Sequence, residues 1–183
     1  MYKRQIIDRS IPRLRQLDEL FEGRVRTLAS TLDTIETEVL AADAVIGAVL
    51  IPGASAPKLV TRAMLADMKK GAVLVDVAID QGGCFETSRP TTHANPTYEV
   101  DGVIHYCVAN MPGAVPLTSA QALNNATLPF VLKLADKGLG ALEDKHLAAG
   151  LNVKAGRIVH ATVAASLGFD RLDGGHARAI AAE

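Results

Sequence analysis

Asp76 and Asp80 are the residues of this chain best placed to do chemistry. They stand in GAVLVDVAIDQGG (residues 71–83), an apolar β-branched run that closes on two carboxylates, Gln81 and a glycine pair. The polar residues fall at the carboxyl end of that run, where open α/β sheets place their ligands. Asp80 reads either as an acid/base or electrostatic partner for a substrate amine, or as a solvated loop residue. Asp76, inside the run, reads as a structural carboxylate held by neighbouring backbone, because a buried charge must be paired or hydrogen-bonded. Asp8 ends a shorter apolar run, Ile6-Ile7-Asp8, and could accept hydrogen bonds from hydroxyls or simply cap a turn. Asn110, just past another apolar run, could hydrogen-bond an amide or form a turn. His93, His105, His146, His160 and His176 have no metal-ligand spacing and no Ser or Cys nucleophile motif beside them, so no metal site is expected.

The elements that must position these residues follow from periodicity. Residues 73–77 read as a central parallel strand buried on both faces. Before it, Ser10 is set to cap a helix over residues 11–21, with Pro12 in its first turn and Leu14, Leu17, Leu20 and Phe21 at helical spacing; Gly23 ends it. Residues 24–28 predict a short strand and 31–41 a second helix, with Asp33 and Glu36 near its start. AVIGAVLI (residues 44–51) predicts another buried strand, closed by the turn signal Pro52-Gly53. Residues 60–70 form a short helix that Thr61 can cap. Strand and helix alternate throughout, the rhythm of a doubly wound parallel sheet.

Beyond Gly83 the pattern loosens. Residues 84–101 are polar, contain Pro90 and Pro96, and read as a functional loop. VIHYCV (residues 103–108) gives one more strand. Residues 116–135 then read as one long helix, 139–144 and 145–149 as short helical pieces, GLNVKAG as a glycine-bounded stretch, and 160–167 as a last helix. The tail after Asp170 lacks apolar periodicity and is expected to fray. A boundary near residues 112–116 divides a first domain, 1–115, from a carboxyl-terminal helical segment, 116–183.

Composition narrows the class. The chain has 183 residues, 49% hydrophobic content, no Trp and a net charge of −1, with no basic patch for nucleic acid or an anionic membrane. Cys84 and Cys107 have neither metal-ligand nor CxxC spacing, so reduced cytoplasmic thiols are expected. MYKRQ is not followed by a long apolar run, which supports neither a signal peptide nor a membrane span. Asp8 occupies the place of the ribose-binding carboxylate at the end of a dinucleotide fold's second strand, yet no first strand and no G-x-G-x-x-G precede it. The expected fold class is therefore α/β: an incomplete Rossmann-type doubly wound parallel sheet lacking its first strand and Gly-rich loop, followed by a long helix and short carboxyl-terminal helices.

Three long runs carry a specific resemblance: AVLIPGASAPKLV (residues 48–60), GAVLVDVAIDQGGCFETSRPTTHANPTY (71–98) and HYCVANMPGAVPLTSAQALNNATLPFV (105–131). They resemble the carboxyl-terminal half of alanine dehydrogenase, a family similar to the α subunit of nicotinamide nucleotide transhydrogenase. The transhydrogenase normally carries Glu in place of Asp80 and lacks the CVANMP run, so it stands second. The resemblance implies an oxidoreductase that converts L-alanine with NAD to pyruvate and ammonium. On the matching positions it implies that Asp8 holds the adenosine ribose, Arg13 lies near it and Ser30 beside the adenine. Val49 and Leu50 would line the cofactor groove, Val77 and Asp80 face the nicotinamide and reacting carbon, and Val108, Asn110 and Met111 close the nicotinamide side. Asp80 is the catalytic candidate. The resemblance further implies a homohexamer, and places residues 116–183 in the substrate domain. The family's substrate-binding Arg and Lys, its acid/base His and its Gly-rich loop have no counterpart here. The start at MYKRQ is accordingly expected to be a truncation, and the isolated chain to be inactive or to serve as a non-catalytic nucleotide-binding or assembly module.

Overall fold

The computed structural model describes residues 4–51 and 55–168. The expected Pro52-Gly53 turn and the frayed tail after Asp170 lie outside the described residues. By internal contacts the chain divides into two compact units, one of residues 1–50 and 56–109, the other of residues 51–55 and 110–183.

The first unit begins with strand β1 (Gln5–Asp8), helix α1 (Ile11–Phe21), strand β2 (Arg26–Ala29) and helix α2 (Leu32–Ala41). Ser10 and Thr31 cap the two helices by accepting from the amides of Arg13 and Thr34, and Pro12 sits in the first turn of α1. β1 and β2 pair in parallel, with Asp8 opposite Ala29. Strand β3 (Ala44–Gly47), helix α3 (Arg62–Asp67, capped by Thr61) and strand β4 (Val73–Asp76) follow, then β5 (Thr97–Val100) and β6 (Val103–Tyr106). The second sheet has the order β3-β4-β6-β5; the first three strands are parallel and β5 is antiparallel to β6.

Several expectations are corrected here. The parallel strands fall into two separate sheets rather than one. β3 stops at Gly47, and Ile46 is 70% exposed, so this strand is not buried: among the described residues it pairs only with β4 and forms a sheet edge. β4 buries Leu74 and Asp76 completely but leaves Val73 and Val75 half-buried, so only one of its faces is fully covered. The supposed loop at residues 84–101 contains β5. Asp101 and Gly102 both adopt positive φ, 51° and 82°, the geometry that a two-residue hairpin needs. The core of the unit gathers Val60, Leu65, Leu74, Phe85 and Val103 beneath the larger sheet. Each such side chain removed from water contributes about 1.5–3 kcal/mol.

The second unit contains helix α4 (Pro116–Lys137), a 3-10 segment (Gly138–Glu143), helix α5 (Lys145–Ala149), the strand pair β7 (Val153–Lys154) and β8 (Arg157–Ile158), and helix α6 (Ala161–Leu167) capped by His160. The expected GLNVKAG stretch is a hairpin whose Ala155 and Gly156 carry positive φ. α4 continues through Pro129 and has no buried residue; Leu117, Leu123, Phe130 and Val131 are all exposed. Lys133 on α4 binds the Asp144 carboxylate at 2.6 Å, and this contact holds the Asp144 carboxyl down at about 2. Among the described residues no helix is long and apolar enough to cross a membrane.

Candidate active site

The groove that brings the sequence-marked residues together forms where β3 and β4 end. Past Gly47 the chain leaves the sheet, so residues 48–50 run along the carboxyl edge of β4 instead of extending β3. Val77 donates to the Gly47 carbonyl at 2.8 Å, the last parallel bond before the two segments part. β4 then passes through Val77 and Ala78 into a 3-10 turn, Ile79–Gln81. Ala48, Val49, Leu50, Val77, Ala78, Asp80 and Gln81 line an open groove of about 200 Å³. Its walls are apolar and exposed at Leu50 and Val77, and its polar groups are the exposed Asp80 and the half-buried Gln81. The volume is below the roughly 300–1,000 Å³ of a site that encloses a whole drug-sized ligand, so the groove suits one flat ring of a larger molecule. Gln81 adds an orphan: its Oε1 is buried and has no hydrogen-bond partner.

Behind the groove, Asp76 does what a carboxylate with no exposed surface must. Its Oδ1 accepts from the Ala78 amide at 3.0 Å, and its Oδ2 from the Cys84 amide at 2.9 Å, the Phe85 amide at 3.4 Å and the Ser88 hydroxyl. The Cys84 thiol lies 3.5 Å from Oδ1. Burial first, and the Asp76 charge second, push the Cys84 thiol up to about 12, so it stays protonated and is no nucleophile. Gly83 makes this loop possible: its φ is +74°, and a Cβ there would fall 2.6 Å from Asp76 Oδ2. On the far side residues 56–59 take four successive carbonyls of the loop. The Ala56 amide binds the carbonyl of Gln81, the Lys58 ammonium those of Gly82 and Gly83, and the Leu59 amide that of Cys84.

The rest of the long connection is fixed by aromatic and polar contacts. Tyr98 stacks on the fully buried His105 with ring centroids 4.9 Å apart, and the Arg89 guanidinium lies 4.0 Å over the Tyr98 ring. His105 Nδ1 is 3.0 Å from the Val103 carbonyl, which can only accept, so Nδ1 carries the proton and Nε2 accepts from Thr87 at 2.7 Å. Burial lowers the His105 pKa, which favours this neutral ring. Burial and the neighbouring Cys107 thiol raise the Tyr98 phenol to about 12, and its hydroxyl donates to the Thr87 carbonyl.

The other candidates are distributed as follows. Asp8 and Ser30 meet at the carboxyl ends of β1 and β2, where the Ser30 amide donates to the Asp8 carbonyl at 3.0 Å. The Asp8 carboxylate accepts from the Ser10 amide at 2.7 Å, so it also caps the turn into α1. Arg13 lies on α1, its guanidinium 3.2 Å from Gln16 Oε1. Val108 is buried and bridges to Thr91, and it does not line the groove. Asn110 and Met111 belong to the second unit, where Asn110 Oδ1 caps the turn Met111–Ala114 through the Gly113 amide. Sequence reasoning missed Gln81 and Lys58. Gln81 was signalled by its place next to Asp80; Lys58 had no local signal, since its partners lie 24 and 25 residues away. Among the described residues no cluster of His, Cys, Asp and Glu could hold a metal.

The donor set fits a dinucleotide in part. A carboxylate beside a serine at the ends of two parallel strands can take sugar hydroxyls, and the apolar groove with Asp80 at its mouth can take a flat ring.

Comparison with known proteins agrees with this geometry. Alanine dehydrogenase of Halomonas elongata is 62% identical over 170 residues, covering 92% of this chain and 46% of that protein. Alanine dehydrogenase of Mycolicibacterium smegmatis is 57% identical over 164 residues, covering 88% and 44%. A solved L-alanine dehydrogenase superposes with a TM-score of 0.76 at 56% identity, over 91% of this chain and 46% of that one. The transhydrogenase from Sinorhizobium meliloti is more distant, with a TM-score of 0.64 and 25% identity over 86% of this chain and 42% of that one. The chain thus spans less than half the length of the curated relatives it matches. Residues 3–161 match the family described as alanine dehydrogenase/PNT, C-terminal domain, and the chain belongs to that family.

Proposed function

We propose that this chain supplies the cofactor side of an NAD-dependent alanine dehydrogenase, an enzyme that oxidises L-alanine to pyruvate and ammonium. The observation that carries the reading is the convergence of Val49, Leu50, Val77 and Asp80 on one groove at the end of parallel strands β3 and β4. NAD would accept the hydride from the alanine α-carbon. Asp8 and Ser30 would hold the adenosine end, and the apolar walls would keep the ring flat and exclude water from its face. Asp80 would orient the substrate amine or the hydrolytic water and carry a proton between steps, because forming and hydrolysing an imine moves protons as well as a hydride. Residues 116–183 would belong to the substrate domain. The substrate carboxylate would be held by residues from the part of the relatives with which this chain does not align. A homohexameric assembly and a cytoplasmic address form part of the same proposal. The transhydrogenase reading has the weaker support, with 25% identity against 56% for alanine dehydrogenase.

The test is complementation. The purified chain is mixed with a separately produced amino-terminal half of the Halomonas elongata enzyme, and alanine-dependent NADH formation is followed. Formation in the mixture, and in neither component alone, is the expected result. Hydride exchange between NADPH and NAD without any alanine-dependent NADH formation would overturn it.

A further inference from the structure

Lys58 and Asp76 carry opposite charges that never meet; each grips the backbone of the loop between them. The Gly83–Cys84 peptide is their shared contact. Its carbonyl accepts from the Lys58 ammonium at 2.8 Å, and its N–H donates to Asp76 Oδ2 at 2.9 Å. Hydrogen bonds to ionised groups are roughly twice as strong as neutral ones, and bonds in a chain polarise one another. A cation on the oxygen and an anion on the N–H of the same peptide pull its dipole in the same direction. Among the described residues Asp76 forms no ion pair, so Lys58, acting through this peptide, supplies the positive end of its network. The same carboxylate takes the amide of Ala78, the residue before the 3-10 turn, and the same ammonium takes the carbonyl of Gly82, the residue after it. Asp80 and Gln81 lie between those two fixed points.

We propose that Lys58 and Asp76 are a coupled pair of positioning residues: through the Gly83–Cys84 peptide they set the 78–81 turn and hold Asp80 and Gln81 at the mouth of the groove. The functional part rests on the reading that Asp80 faces the reacting group; the coupling itself does not. Neither residue touches the groove. Lys58 is exposed, whereas Asp76 sits in a fully buried network, so the informative variants are at Lys58.

Amide hydrogen exchange on the purified 183-residue chain, with no nucleotide present, reads the coupling directly. Lys58→Met is expected to speed exchange at Cys84 and Ala78 by about tenfold, the scale of losing one charge-assisted hydrogen bond. It should also move the Cys84 amide proton resonance upfield. Ala78 is the informative position, since its amide donates to Asp76 and makes no contact with Lys58. The core amide of Ile104, bonded to the Ala72 carbonyl, should keep its protection. Lys58→Arg retains the charge and should restore both amides. Unchanged exchange at Ala78 in Lys58→Met would overturn the coupling, and equal acceleration at Ile104 would reduce Lys58 to a general stabiliser and overturn it too. In the complementation assay the same variant should lower kcat about tenfold with KM for NAD unchanged, and Lys58→Arg should recover it. A loss confined to KM would overturn the positioning role. If the unmodified mixture shows no alanine-dependent activity, the dehydrogenase reading fails while the exchange result still decides the coupling.

Discussion

A Cβ placed on Gly47 would fall 2.7 Å from Phe85 Cζ and would meet Cys84 Sγ closer still. Gly47 is the last residue of β3 and pairs with Asp76 across the sheet, so its missing side chain lets the 84–85 segment lie against the strand end. Gly47→Ala should therefore destabilise the first unit by about 1–3 kcal/mol, the cost of forcing a methyl into a filled core. The midpoint of urea unfolding measures it. An unchanged midpoint would mean that Phe85 is not seated against this strand.

Gly82 and Gly83 separate backbone strain from crowding. Both have φ in the left-handed region, +84° and +74°, but a Cβ on Gly82 meets nothing within 4 Å, while one on Gly83 meets Asp76 Oδ2 and Ser88 Cβ. Gly82→Ala should cost about 1–2 kcal/mol, the penalty for a left-handed non-glycine residue. Gly83→Ala adds the displacement of a buried carboxylate and should cost more, by roughly 1–3 kcal/mol. Urea unfolding of the two variants side by side checks the order; equal costs would contradict the packing around Asp76.

His105 predicts a pH dependence with a definite sign. Its ring is buried and neutral, and burial lowers its pKa below the value in the unfolded chain. Below about pH 6.5 the unfolded state binds a proton that the folded state refuses, so stability is complete above that pH and falls as the pH drops. One proton sets an upper limit on the slope of about 1.4 kcal/mol per pH unit. Urea midpoints between about pH 7.5 and about pH 5, a window that spans the ordinary His value of about 6.5, should follow this direction. His105→Gln should flatten it, and a slope that survives in that variant would place its origin elsewhere.

Asp80 should matter to chemistry far more than to folding. It is exposed and lies at the groove mouth, so Asp80→Asn should leave the unfolding midpoint within about 0.5 kcal/mol of the parent. In the complemented enzyme the same change should lower alanine-dependent NADH formation by about 10²–10⁴-fold, the usual contribution of a positioned acid or base. Activity near the parent level would remove Asp80 from the mechanism.

Much of the local architecture was legible before folding. Ser10 and Thr61 cap the helices that follow them, as side chains with a free acceptor one step before an apolar helical run do. Asp76 was readable as a structural carboxylate, because a charge inside a buried strand must find donors nearby. β5 and the β7–β8 hairpin escaped, although Asp101-Gly102 and Ala155-Gly156 mark their turns; polar composition and Pro96 masked the first, and two-residue strands are too short to alternate. The strand read over residues 44–51 was overextended, since a continuous apolar run does not say where pairing stops.

By itself the sequence determined the element types, the polar residues waiting at the end of β4 and, through three long motifs, the family. These are local properties: side-chain period, capping groups and residue identity along contiguous stretches. Tertiary structure alone decided that the parallel strands divide between two sheets, that residues 48–50 turn aside to make a groove, and that Lys58 reaches Asp76 through the Gly83–Cys84 peptide. Those facts depend on which backbone groups remain unpaired once the chain has folded. A lysine and an aspartate 18 residues apart acquire a common partner only when the loop between the strand and the groove has closed on both.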